Sequence, residues 1–120
     1  MLNAQDLRIG NIVNRENTGH SFEINAQVLF HWDKFKKVLF PMSLTEEWLL
    51  RFRFERYDNN ILKKGCIICC LGVGDGELKF GIQADNDPYC GTYVDHIKYV
   101  HQLQNLYFAL TGWDFRFQYM

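Results

Sequence analysis

Residues 98–112, KYVHQLQNLYFALTG, read as a helix that carries no formally charged residue after Lys98. Val100, Leu103, Leu106, Tyr107 and Leu110 fall on one side of a helical wheel, an apolar stripe at the spacing that packs on a core. On the other side His101, Gln104, Asn105 and Phe108 recur at i, i+3, i+4 and i+7, forming a second stripe that is polar, uncharged and partly aromatic. A helix face turned to bulk water carries lysine or glutamate. This face therefore predicts contact with a partner, a ligand or another part of the chain, the last meaning that His101, Gln104 and Asn105 hydrogen-bond loops or the N-terminal segment, with Phe108 in the core. Gly112 stands where a helix ends in the left-handed region, which sets the helix at about 100–111.

Working outward, residues 114–119 place Phe115, Phe117 and Tyr119 alternately with Arg116 and Gln118, the period of two of a final strand. Upstream, strands are expected at 66–71, 77–83 and 92–98. Asp75-Gly76 marks a hairpin turn between the first two, and a polar turn opens at Asp85-Asn86-Asp87-Pro88. In the first half, 8–14 (RIGNIVN) and 22–32 (FEINAQVLFHW) read as strands joined by the turn 16–20, and 37–40 (KVLF) as a third extended piece. A second helix starts near 44–46, capped by Ser43 or Thr45, with Glu46 and Glu47 in its first turn. It is expected to run to about Arg53 and to bury Trp48, Leu49 and Phe52. The sum is an α+β fold: a single domain over 1–120 with a mainly antiparallel, curved sheet and two helices, about 45–53 and 100–111, packed on it.

Composition narrows the function classes. The chain has 120 residues, 48% of them hydrophobic, 22% charged and 16% aromatic, which suits one globular domain with an aromatic-rich core. A formal net charge of −1 supplies no broad cationic field for nucleic-acid phosphates. Neither a secretory leader nor an apolar run of about 18 residues is present, so a cytoplasmic protein with no membrane partner is expected.

The motifs that carry chemistry elsewhere are incomplete here. Cys66, Cys69, Cys70 and Cys90 include a Cys-x-x-Cys pair, but on a strand Cys66 and Cys69 point to opposite faces and no second pair follows at matching spacing. Reduced thiols and no metal are expected. The glycine-rich run at 72–76 lacks the Lys-Ser or Lys-Thr of a phosphate loop. Asp85, Asp87 and Asp95 suggest calcium, but Gly91 lies at the wrong offset and Pro88 interrupts the loop. His20, His31, His96 and His101 are the candidates for acid–base work, and none has a nucleophile or carboxylate set beside it by the local pattern.

Three segments, RIGNIV at 8–13, PMSLTEEWLLRF at 41–52 and VHQLQNLYFALTG at 100–112, together resemble a family of small uncharacterised proteins frequent in gut bacterial genomes and their phages or prophages. That family has no assigned activity. It tends to have Pro at the position of Ser43, Gly at that of Arg53, and Glu-Glu-Leu at 113–115. The resemblance implies an accessory or counter-defence role, such as masking a host protein or sequestering a nucleotide-like signalling molecule. The expected function is thus a noncatalytic binding protein without a cofactor, using His101, Gln104, Asn105 and Phe108 toward a host protein, a nucleotide-like ligand or a second copy in a homo-oligomer. Two alternatives stand beside it. One is a nucleic-acid module built on Arg51, Arg53 and Arg56 with Phe52, Phe54 and Tyr57 interleaved; the other is a small enzyme with a histidine acid or base.

Overall fold

The computed structural model describes residues 2–71, 78–84, 87–94 and 97–112, with the backbone alone for 83–84 and 87–93. The fold is α+β, with antiparallel strands throughout. Among the described residues the strands form two sheets, where one was expected, and two further short helices join the two predicted ones. The chain divides into two compact units, the first containing residues up to 43 together with 99–112, the second containing 44–98.

In the first unit a 3-10 turn (Ala4–Asp6) leads to β1 (Ile12–Arg15), β2 (His20–Glu23) and β3 (Leu39–Phe40), ordered β2-β1-β3. The β1–β2 connection is the expected turn, with Glu16, Asn17 and Gly19 all at positive φ. The expected strand over 22–32 ends at Glu23. Asn25 then caps a helix by accepting the Val28 N–H at 3.0 Å, and α1 (Ala26–Phe30) and α2 (Trp32–Phe35) follow. The apolar residues here satisfy both periods: Val28, Trp32 and Phe35 also sit at i, i+4 and i+7. The cap decides for the helix. Leu2, Leu7, Val13, Ile24, Val28 and Leu39 make the core of this unit, with Phe22, Leu29, Trp32 and Phe35 packed on its margin.

The helix read from residues 98–112 is α4 (Val100–Thr111), which packs on β1. Its first N–H groups are satisfied in two ways: Val100 donates to the Met42 carbonyl, and Gln102 Oε1 reaches back to the Tyr99 N–H at 3.0 Å. Gly112, at φ +77°, ends it as expected.

In the second unit, α3 (Glu46–Arg51) starts on Thr45, whose hydroxyl accepts the Trp48 N–H at 3.4 Å. Trp48, Leu49 and Phe52 are buried, as the pattern predicts. A five-stranded sheet follows in meander order, β4 (Glu55–Asp58), β5 (Ile61–Lys64), β6 (Ile67–Leu71), β7 (Leu78–Ala84) and β8 (Asp87–Val94). Strands β4 and β5 were not read from the sequence, because Asp58, Asn59 and Asn60 break a run whose apolar members are few. Strand β8 begins earlier than the expected 92–98 and takes in Asp87 and Pro88, half of the expected polar turn. Proline is tolerated there because β8 closes one end of the sheet. The hairpin turn at 72–76, His96 and the strand at 114–119 lie outside the described residues. No described helix is long and apolar enough to cross a membrane.

Candidate functional site

The uncharged face of α4 is covered, and its cover is the N-terminal segment of the same unit. Gln104 and His101 are each only 5% exposed. The Gln104 side-chain amide holds the backbone at two points, accepting the Ile12 N–H at 2.7 Å and donating to the Gly10 carbonyl at 3.0 Å. Asn105 works beside it: its Oδ1 accepts from Asn11 Nδ2 at 2.8 Å and Arg8 Nε at 3.2 Å, and its Nδ2 donates to the Asp6 carbonyl at 2.9 Å. Two of the segments quoted for the family resemblance, RIGNIV and VHQLQNLYF, are thereby the two halves of one polar joint.

The segment is shaped to fit. Gly10 adopts φ +95°, a conformation that only glycine takes without strain, and its N–H donates to the Ile24 carbonyl. Asn11 is fully buried, and its Oδ1 accepts the Arg8 N–H at 2.6 Å. Both faces of the turn are thus fixed, one by β2's exit at Ile24 and the other by α4. The missing charge on α4 has a physical reason here. A lysine or glutamate at 104 or 105 would be buried against backbone amides and carbonyls that a neutral amide satisfies in both senses.

The four residues of the uncharged stripe therefore divide. Gln104 and Asn105 are consumed by the joint. His101 is buried one turn earlier, its ring stacked on Tyr99 with centroids 6.0 Å apart, and its Nδ1 has no hydrogen-bond partner among the described residues. Burial lowers its pKa, and the Asp6 carboxylate raises it in part. Phe108 is the outermost, 39% exposed, with the Arg8 guanidinium 4.2 Å from its ring centroid. The apolar stripe also fades toward the C-terminus: Val100 and Leu103 are fully buried, Leu106 and Tyr107 partly so, and Leu110 is 40% exposed. The last turns of α4 thus present Phe108, Ala109 and Leu110 to solvent without a charged neighbour on the helix.

The other candidates resolve as follows. Arg51 pairs with Glu47 at 3.0 Å and lies over Trp48, and Arg56 pairs with Glu46. Phe52 and Phe54 are buried, so neither offers a ring face for a base. Arg53 is exposed at φ +66°. His20 lies 3.1 Å from the Thr18 hydroxyl on the surface, and His31 meets the exposed Phe30 edge-on. Cys69 is buried in β6 and its thiol is pushed up to about 12 by burial, then by Cys70 and Glu46. Cys66 and Cys70 are free thiols, while the Cys90 side chain lies outside the described residues. No group of three or more histidine, cysteine or acidic side chains converges among the described residues.

The N-terminal segment was one of the covers expected for this face, and Gln104 and Asn105 do bond to it; what sequence reasoning missed is the particular counterpart, Arg8, Gly10 and Asn11. The signal was present in the neutral amides at 104 and 105, which suit a backbone better than a solute. Comparison with known proteins found no matching family model, no curated protein and no solved structure resembling the chain.

Proposed function

We propose that this is a noncatalytic binding protein, an accessory protein of phage or prophage origin in the bacterial cytoplasm, whose contact surface is the C-terminal half of α4. The observation that carries the reading is the exposed pair Phe108 and Leu110 on a helix without charge, with Arg8 seated on the Phe108 ring. An apolar patch flanked by one arginine matches the composition of protein contact surfaces, where aromatic residues and arginine are enriched. Masking of a host protein fits this surface better than capture of a nucleotide, because the hydrogen-bonding groups of Gln104 and Asn105 already bind the chain itself. The phage or prophage origin rests on the sequence resemblance alone.

The test is affinity capture from gut-bacterial lysate, followed by titration of the recovered protein, once purified, against the parent and against Phe108→Ser/Leu110→Ser. The expected result is a loss of at least about tenfold in affinity, the scale of a central aromatic contact, with an unchanged circular dichroism spectrum. Equal affinities for parent and variant would remove this surface from the function.

A further inference from the structure

We propose that His101 is the proton-operated element of a latch in the first unit, holding residues 3–12 on α4 while its ring is neutral and releasing them when it is protonated. The geometry carries this in three steps. First, the ring is 5% exposed and its buried Nδ1 has no hydrogen-bond partner among the described residues. A neutral imidazole can leave that nitrogen as a bare acceptor. An imidazolium must donate from both nitrogens, placing a charged N–H without a partner in a site closed to water.

Second, His101 shares its helix face with the residues that hold the segment. Gln104 and Asn105 lie three and four positions on, and bind Gly10, Ile12, Asn11, Arg8 and the Asp6 carbonyl. Asp6 connects the two parts, since its carbonyl accepts from Asn105 while its carboxylate acts on the His101 ring. Third, the surrounding charges offer the imidazolium limited relief. The 3-10 turn brings exposed Asp6, the following loop brings Arg8, the helix cap brings Tyr99, and β1 has no ionisable side chain before Arg15. Asp6 is attractive, Arg8 is engaged by Asn105 and the Phe108 ring, and Tyr99 contributes a ring face.

The sign follows from the lowered pKa of the seated ring, set by burial. A released segment exposes the ring to water and returns it to the ordinary value of 6.5, so the released form takes up the proton more readily. The seated form is fully favoured above the ordinary histidine value and loses its advantage as pH falls from there through the lowered value.

The experiment follows the Ile12 amide, whose N–H is bonded to Gln104, by hydrogen exchange and NMR on the full chain between pH 7.5 and 5.0. Protection, corrected for intrinsic exchange, should be lost progressively as pH falls, with a midpoint matching that of the His101 ring. Amides of Leu62 and Ile68 in the second unit should keep their protection. In His101→Gln, Ile12 protection should be independent of pH. If that variant does not fold, the match of the Ile12 and His101 midpoints in the parent decides. Constant Ile12 protection, a midpoint that departs from that of the His101 ring, an equal loss in His101→Gln, or simultaneous loss at Leu62 and Ile68 would each overturn the latch.

Discussion

Gln104 and Ile12 are joined across 92 residues of sequence by a 2.7 Å hydrogen bond from the Ile12 N–H to the Gln104 side-chain oxygen. The same amide donates to Gly10, so one side chain satisfies a donor and an acceptor of a buried backbone turn. Gln104→Leu removes both bonds while roughly conserving volume, and leaves the two backbone groups unsatisfied at about 1–3 kcal/mol each. The expected loss in urea unfolding is therefore about 2–6 kcal/mol. Gln104→Glu should fall at least as far at neutral pH, since the carboxylate can still accept from Ile12 but turns a charge toward the Gly10 carbonyl.

How much of this was legible depends on the kind of signal. The α4 boundaries followed from periodicity and Gly112, and α3 from Thr45 and the two glutamates, because caps are local chemistry. Strand β2 was overextended because residues 22–32 satisfy both periods and only the Asn25 cap separates them. Strands β4 and β5 were missed for want of apolar residues. The uncharged face of α4 was recognisable as a contact face. The N-terminal segment stood among its expected occupants, but nothing in a helical pattern says which residues 94 positions away will supply the backbone it binds.

Burial of Cys69 has a chemical consequence. With its thiol held near 12, thiolate at pH 8 is scarce, and access is closed by neighbouring strands. Iodoacetamide in native buffer should modify Cys66 or Cys70 and leave Cys69 intact, with Cys69 labelled only after denaturation. Peptide mass spectrometry reads the order, and early labelling of Cys69 would show that β6 opens readily.

Trp48 anchors α3: it is buried, lies 5.7 Å from the Phe52 ring and carries the Arg51 guanidinium at 5.0 Å. Trp48→Ala should cost about 3–5 kcal/mol, a large share of the roughly 5–15 kcal/mol that holds a small domain. Thermal unfolding of variant and parent measures it. A change below 1 kcal/mol (by the same scale) would mean that this helix contributes little to the second unit.

The end of α3 allows a prediction in the opposite direction. The Phe54 N–H bonds to the Leu49 carbonyl and the Arg53 N–H to the Leu50 carbonyl, each at 3.0 Å, and the two flanking apolar residues Leu49 and Phe54 are both buried. This is the pairing of a Schellman motif, and it places Arg53 at the position that requires a left-handed backbone, where φ is +66°. An L-residue with a Cβ pays about 1–2 kcal/mol there that glycine does not. Arg53 is exposed, so its side chain contributes little packing to offset that strain. Arg53→Gly is accordingly expected to raise stability by about 1 kcal/mol, part of the relief being lost to the greater freedom of glycine in the unfolded chain. Arg53→Ala keeps the Cβ and should leave stability within about 0.5 kcal/mol of the parent, as for an exposed substitution. Urea midpoints for the three proteins decide the matter: equal values for Gly and Ala would show that the left-handed backbone at 53 is not the source of the strain.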